Sequence, residues 1–355
     1  MIRVLIVDDS RVVREVVKDL LKGTEVEVVG EAANGKEAID LTRELRPDLI
    51  TMDVMMPVMD GLTAVEQIMA YTPTPILVLA SSINRKDVNI AFEAIQVGAL
   101  DVMEKPDNLS REGFAALHDT LVQKIRLLSS IRVISHLKGR RKLPAAPAAP
   151  TPPREPKPRK TQTGILAIGA STGGPKAVLS VLQGLPATFH LGAVLVQHIG
   201  ASFTAGFVEW LDRECSLRVK LAADGEPVYP GVVLVGPGDR HMEVSGDRIR
   251  LTDDPPVNNC RPSVDVLFKS VAHSYGDKAC AVLLTGMGRD GADGMAQIKE
   301  RAGVTIVQDE KSSVIFGMPK AAIEMGAVDR VIPLKNIAGE ILKIAGGNYG
   351  KNPDS

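Results

Sequence analysis

Residues 164–175 read Gly-Ile-Leu-Ala-Ile-Gly-Ala-Ser-Thr-Gly-Gly-Pro, and this stretch decides the fold of the second half. Residues 165–168 form an apolar run of strand length. Gly169, Gly173 and Gly174 crowd a turn, and Pro175 suits the first position of a helix, where a missing N–H costs nothing. The stretch predicts strand, tight turn and helix, with Ser171 in the turn. Glycines on both sides admit a close approach, and N–H groups near a helix N-terminus favour negative charge. A nucleophile and an oxyanion site could share this loop.

The spacing Gly169-x-Ser171-x-Gly173 fits the G-x-S-x-G pattern of a nucleophile on a strand-to-helix turn. A serine that merely caps a helix is the competing reading. A phosphate loop fits less well, because the second glycine of G-x-G-x-x-G and the Gly-Lys-Ser/Thr of a Walker loop are missing. The decision rests on a base and an orienting acid elsewhere.

Both are available downstream. Residues 193–197 are an apolar strand ending in His198, and 280–284 are a buried strand leading into the glycine-rich loop 285–294, which holds Asp290. Strands at 232–235 and 304–308 alternate with helices at 264–273, 295–301 and 319–324, and 249–251 reads as a short edge strand. The alternation predicts a mostly parallel, doubly wound sheet. Ser171, His198 and Asp290 would then stand past the C-terminal ends of three strands, where open α/β sheets bind ligands. Imidazole takes and returns a proton near neutral pH, and a carboxylate on its far nitrogen fixes the tautomer. His241 competes as the base, ahead of His190 and His273. Asp293 competes as the acid, or caps the helix that starts near Gly294.

The first 120 residues show the same alternation. Strands at 3–7, 26–32, 49–52, 76–80 and 100–103 alternate with helices ending near Lys22, at 36–45 and at 87–97. Asp8, Asp9, Asp53, Ser81 and Lys105 fall at or just past strand ends. Three carboxylates together repel one another unless a hard cation such as Mg²⁺ sits among them. A carboxylate beside Mg²⁺ and an ammonium can attack a phosphoryl donor. Between the halves, residues 139–163 hold seven prolines among alanine and basic residues, a composition that favours an extended spacer.

The whole chain has 355 residues, enough for about two domains. Its 42 basic and 43 acidic side chains balance, so no global field favours nucleic acid or an anionic membrane. No apolar run approaches the ~20 residues of a spanning helix, and the N-terminus does not read as a signal peptide. A soluble cytoplasmic protein is expected. Cys215, Cys260 and Cys280 are widely spaced, so neither a disulfide framework nor a zinc site is expected.

Two resemblances sharpen these readings. Val-Asp-Asp-Ser (7–10), Met-Asp-Val-Met-Met-Pro-Val-Met-Asp-Gly (52–61), Ser81 and Lys105-Pro106 resemble the receiver domain of two-component response regulators. The likeness implies a CheY-like (βα)5 fold. It implies Asp53 as phosphoacceptor, Asp8, Asp9 and Asp53 as Mg²⁺ ligands, and Lys105 and Ser81 as the switch. Val102 stands where many receivers carry an aromatic residue.

Ile-Gly-Ala-Ser-Thr-Gly-Gly-Pro (168–175), Val-Gln-His (196–198), Pro-Gly-Asp-Arg-His-Met (237–242), Arg-Pro-Ser-Val-Asp-Val-Leu-Phe (261–268), Leu-Thr-Gly-Met-Gly-Arg-Asp-Gly (284–291) and Phe-Gly-Met-Pro (316–319) resemble the catalytic domain of the CheB family of chemotaxis methylesterases. Ile199-Gly-Ala-Ser202 departs from the Met-Pro-Pro often found there.

The CheB likeness implies a Rossmann-like catalytic domain with Ser171 as nucleophile, His198 as base and Asp290 as orienting acid. Thr172 and Met287 would lie near the reacting carbonyl, with no cofactor in that site. Hydrolysis of glutamate methyl esters and deamidation of glutamines on chemoreceptors are the implied activities. The implied phosphodonor is a CheA-type histidine kinase, and the receiver would hold the catalytic half in check until Asp53 is phosphorylated. The expected division is a receiver over 1–120, a helix end and linker over 121–163, and a catalytic domain over 164–348. A DNA-binding effector fits poorly with nearly 190 residues that lack a basic bias. A phospho-switched scaffold without turnover is the other alternative.

Overall fold

The computed structural model describes residues 1–81, 85–105, 111–133 and 164–346. Ser82, Pro106, the proline-rich stretch 139–163 and the end of the catalytic span at 348 lie outside them.

The first half runs β1 (Ile2–Val7), α1 (Arg11–Leu21), β2 (Val26–Ala32), α2 (Gly35–Leu45), β3 (Leu49–Asp53), α3 (Gly61–Tyr71), β4 (Ile76–Ala80), α4 (Arg85–Val97), β5 (Asp101–Glu104) and α5 (Arg111–Leu128). Its five strands order as β2-β1-β3-β4-β5. β3 and β4 are fully buried, which is why both read as continuous apolar runs. Side chains start the helices. Ser10 accepts from the Val13 N–H, and Asp60 accepts from the Thr63 N–H at 2.7 Å. Asn34 accepts from the Glu37 N–H at 3.0 Å while Glu37 accepts from the Ala33 N–H at 2.8 Å. Helix α3 was not read from the sequence, although Asp60 caps it and Val65, Ile68 and Met69 form its buried stripe.

The second half runs β6 (Ile165–Ala170), α6 (Gly174–Gln183), β7 (Gly192–Gln197), α7 (Ala201–Glu214), β8 (Arg218–Leu221), β9 (Val232–Val235), β10 (His241–Ser245), β11 (Arg248–Thr252), α8 (Val264–Tyr275), β12 (Ala279–Leu283), α9 (Ala292–Glu300), β13 (Val304–Gln308), α10 (Met318–Glu324), β14 (Arg330–Ile332) and α11 (Leu334–Ala345). Seven strands order as β14-β13-β12-β6-β7-β9-β8, and their pairings are parallel. β6 lies between β7 and β12, with Ala170 beside Gln197 and Gly169 beside Leu283. The chain leaves β6 to one side first and returns to its other side later, so the sheet reverses at β6. That reversal opens a crevice at the C-terminal strand ends.

One strand departs from expectation. Residues 249–251 do not edge the main sheet. They belong to β11, which pairs antiparallel with β10 in a separate two-stranded ribbon. Gly246 takes φ +62° in the two-residue turn between them, and such a turn can only fold a strand back on its predecessor. The ribbon's Met242, Val244 and Ile249 share the core with Val264, Leu267 and Phe268 of α8.

Candidate active site

The strand–turn–helix at residues 165–183 is as the sequence predicts, with β6 extended to Ala170. Gly173 takes φ +74°, a left-handed conformation that glycine adopts without strain. A Cβ on Gly174 would lie 2.1 Å from the Gln197 Oε1 and 2.9 Å from the Ala170 Cβ, so a larger residue there would have to displace the Gln197 amide. The Gln197 amide, buried at the end of β7, donates to the Ser171 carbonyl at 2.8 Å and to the His198 carbonyl at 3.1 Å. The His198 N–H donates to the Ala170 carbonyl at 2.9 Å. These bonds tie the Ser171 and His198 backbones together. Gln197 escaped the sequence reading as a positioning residue, although it lies inside the quoted Val-Gln-His.

Among the described residues, the N–H groups of Thr172 and Gly173 donate to no backbone carbonyl. They stand at the N-terminus of α6, where partial positive charge gathers. The Thr172 carbonyl accepts from the Thr285 hydroxyl at 3.0 Å, which ties this turn to the loop after β12. Met287, half-buried, lies in that loop. The Ser171 hydroxyl is half-buried and has no hydrogen-bond partner among the described residues. Contacts of a nucleophile commonly close only with substrate in place.

Asp290 is 2% exposed and accepts five hydrogen bonds. Its Oδ1 accepts from the Ser263 hydroxyl at 2.7 Å, the Asn258 amide at 3.0 Å and the Asp265 N–H at 3.2 Å. Its Oδ2 accepts from the Val264 N–H at 2.6 Å and lies 2.9 Å from the His198 Nε2. Burial works against this charge, but His198, Ser263 and Asn258 hold the carboxyl down at about 2. The N-terminal N–H groups of α8 add to that hold. An ionised carboxylate only accepts, so the His198 Nε2 carries a proton and the Nδ1 lone pair is free to act as a base. Burial disfavours the imidazolium, yet the bond to Asp290 and the nearby Cys260 push His198 up to about 9.

The competitors fall elsewhere. His241 is buried in β10, where its Nδ1 accepts from the Ser263 N–H at 3.1 Å and its Nε2 donates to the Pro255 carbonyl at 3.1 Å. Both nitrogens are used, and the ring steadies the Ser263 that holds Asp290. The His190 Nε2 donates to the Ala345 carbonyl at 3.0 Å, and His273 is exposed on α8. Asp293 pairs with Arg289 at 3.0 Å and makes no cap, because α9 already starts at Ala292, with Gly291 in the cap position two residues before Asp293. Asn258, Ser263 and Asp265 were missed as individuals. The signal for two of them was the Arg-Pro-Ser-Val-Asp motif itself.

In the first half, the Lys105 Nζ lies 2.8 Å from the Asp8 Oδ2 and 2.9 Å from the Asp53 Oδ2. Carboxylate oxygens of Asp8, Asp9 and Asp53 lie within 4.8 Å of one another. Burial pushes Asp53 up to about 6, although Lys105 opposes it, so this oxygen-only cluster has the charge deficit that Mg²⁺ would fill. Ser81 follows β4, and Val102 is buried in β5.

Fold and clusters together define a two-part α/β chain: a receiver with an acidic pocket, and a parallel sheet carrying a serine, a histidine and an aspartate at its point of reversal. Comparisons make this specific. The family model described as response regulator receiver domain matches residues 4–112, and that described as CheB methylesterase matches residues 166–341.

The protein-glutamate methylesterase/protein-glutamine glutaminase 2 of Anaeromyxobacter dehalogenans is 44% identical over 338 residues, 95% of each chain. That of Salmonella typhimurium is 40% identical over 352 residues, 98% of each. The Thermotoga maritima CheB methylesterase catalytic domain is 38% identical with a TM-score of 0.51, covering 52% of this chain and 100% of its own. The chain belongs to the CheB methylesterase family.

Proposed function

We propose that this chain is a phosphorylation-activated protein-glutamate methylesterase and protein-glutamine glutaminase, acting in the cytoplasm on chemoreceptors, with Ser171, His198 and Asp290 as its catalytic residues. The observation that carries the reading is the 2.9 Å contact between His198 and Asp290, at the end of the strand beside the one that presents Ser171. Ser171 Oγ attacks the γ-carbonyl of the methyl ester, and the His198 Nδ1 takes its proton. The Thr172 and Gly173 N–H groups receive the oxyanion. Imidazolium protonates the departing methoxy oxygen, which leaves as methanol. Water, deprotonated by the same nitrogen, then releases glutamate. Glutamine follows the same course with ammonia leaving, and Met287 borders the acyl group. No cofactor enters these steps.

The matched segments support a division into a receiver over 1–120, a connecting stretch over 121–163 and a catalytic domain over 164–348. In the receiver, Asp8, Asp9 and Asp53 would hold Mg²⁺, which offsets charge on the transferring phosphoryl group. Asp53 accepts that group from a CheA-type histidine kinase, while Lys105 and Ser81 contact it. The proposal involves neither nucleic acid nor membrane insertion, and among the described residues no helix is long and apolar enough to cross a membrane.

Methanol release from methyl-labelled receptor membranes is the test. Ser171→Ala should lose activity by a factor of at least ~10³. A variant with full activity would refute the assignment. For the regulation, removal of residues 1–160 should raise the basal rate, and an unchanged rate would count against restraint by the receiver.

A further inference from the structure

The nitrogen that Asp290 leaves free does not face empty space. Cys260 Sγ lies 3.8 Å from the His198 Nδ1. The thiol is held there by a tight turn. Val257 and Cys260 exchange backbone hydrogen bonds at 3.1 and 2.9 Å, and Asn258 and Asn259 between them take φ +53° and +60°. Positive φ at both central residues is the signature of a two-residue hairpin turn, for which asparagine is a favoured residue. The Asn258 amide then pins the turn to the site, donating to Asp265 at 2.7 Å and to Asp290 at 3.0 Å. The turn therefore holds Cys260 beside the imidazole of His198, its thiol donating to the Asn258 carbonyl at 3.4 Å.

Ligating atoms of His198, Cys260 and Asp290 lie within 4.8 Å of one another. Asp290 is the wrong ligand of the three, because its five hydrogen bonds already fill both oxygens. It instead completes a carboxylate–imidazole pair of the kind that orients a metal-binding histidine through its second nitrogen. A tetrahedral zinc ion with ordinary Zn–N and Zn–S bonds separates the two ligand atoms by about 3.5 Å. The observed 3.8 Å needs a closure of a few tenths of an ångström. Thiolate and imidazole together select zinc-like ions over Mg²⁺. Among the described residues, neither Cys215 nor Cys280 joins such a cluster.

We propose that the His198 Nδ1 and the Cys260 Sγ form an inhibitory site for a thiophilic divalent cation, with zinc as the natural test ion. Binding releases the thiol proton, and the Nδ1 proton wherever the ring is imidazolium, and places the metal on the lone pair that would otherwise deprotonate Ser171. Water completes the coordination. The inhibitory role, though not the binding itself, rests on the catalytic assignment of His198 above. It revises the expectation from cysteine spacing, which cannot see a histidine 62 positions away.

The test uses the full chain in excess Mg²⁺, which occupies the receiver carboxylates. Co²⁺ reports thiolate ligation by a sulfur-to-metal charge-transfer band, and Zn²⁺ is titrated against methanol release. The wild type and Ser171→Ala should show the band at one ion per chain. Cys260→Ser and Cys260→Ala should weaken binding at least ~10-fold. Zinc should suppress the wild-type rate reversibly, with chelator restoring it. Measured against its own metal-free rate, Cys260→Ser should need at least ~10-fold more zinc for half-inhibition. A band unchanged by the Cys260 substitutions, or absent in the wild type, would overturn the site, and a wild-type rate that zinc leaves unchanged while the band forms would overturn the inhibitory role. His198→Ala separates the two claims. If it loses the band yet keeps esterase activity, the metal site stands and the catalytic assignment falls.

Discussion

Replacing Asp290 with asparagine isolates the charge on which the site is built. The amide keeps the volume but has one accepting oxygen for five donors. If its oxygen stays toward His198 and Val264, its NH₂ meets the Asn258 amide and the Asp265 N–H. If it is turned over, the NH₂ opposes the Val264 N–H now 2.6 Å away and forces the His198 proton onto Nδ1. In the first orientation the loss is electrostatic. Moving His198 from about 9 toward its ordinary 6.5 removes at most about 3 kcal/mol of imidazolium stabilisation, or ~10²-fold in rate. The second orientation also abolishes the base, and losses of ~10⁴ accompany a wrong tautomer in serine hydrolases. The expected result is a kcat lowered by ~10² to 10⁴ with KM little changed, read by methanol release. Urea melts should show a loss of about 3 kcal/mol, because buried donors lose their anion. A folded Asp290→Asn variant within about tenfold of wild-type kcat would refute this reasoning.

Four further outcomes are expected. The reactive imidazole is the neutral form, so kcat/KM should climb with pH through about 9 instead of levelling off near 6.5; a limb at or below 6.5 contradicts the His198–Asp290 pairing. The pair's contribution to stability in denaturant melts should fall away at both pH extremes. The His198 part is complete below 6.5 and lost as pH rises through about 9, while the Asp290 part is complete above 3.8 and lost as pH falls through about 2. Gly61→Ala places a Cβ 1.9 Å from the Asp53 carbonyl oxygen, so it should cost about 1–3 kcal/mol in denaturant melts and slow Asp53 phosphorylation by a small-molecule phosphodonor. Removing Mg²⁺ with a chelator should abolish that phosphorylation while leaving basal methanol release unchanged, and a loss of basal turnover would contradict a metal-free ester site.

Much of the fold was legible because buried parallel strands announce themselves. Residues 26–32, 76–80 and 232–235 were read with the bounds the structure shows, the last two as apolar runs with turn residues at both ends. Helix α7 was not read, although Phe203, Phe207 and Trp210 are almost wholly buried along it. β14 was missed because its three residues are too short for a pattern. The two-stranded ribbon was half-read, since an isolated strand looks the same whichever sheet it joins.

What the sequence determined by itself was local: the strand, turn and helix around Ser171, the acidic strand ends of the receiver, and the list of side chains able to act as base or acid. The pairing among them is set by the packed fold. Asp290 stands on His198 and Asp293 does not, though both lie in one loop. His241 spends both nitrogens on backbone groups, and Cys260 faces the nitrogen left over. These choices depend on hydrogen bonds between residues tens of positions apart. Such bonds form only once β6, β7 and β12 lie side by side and α8 turns its N-terminus toward them, so no window of neighbouring residues contains them.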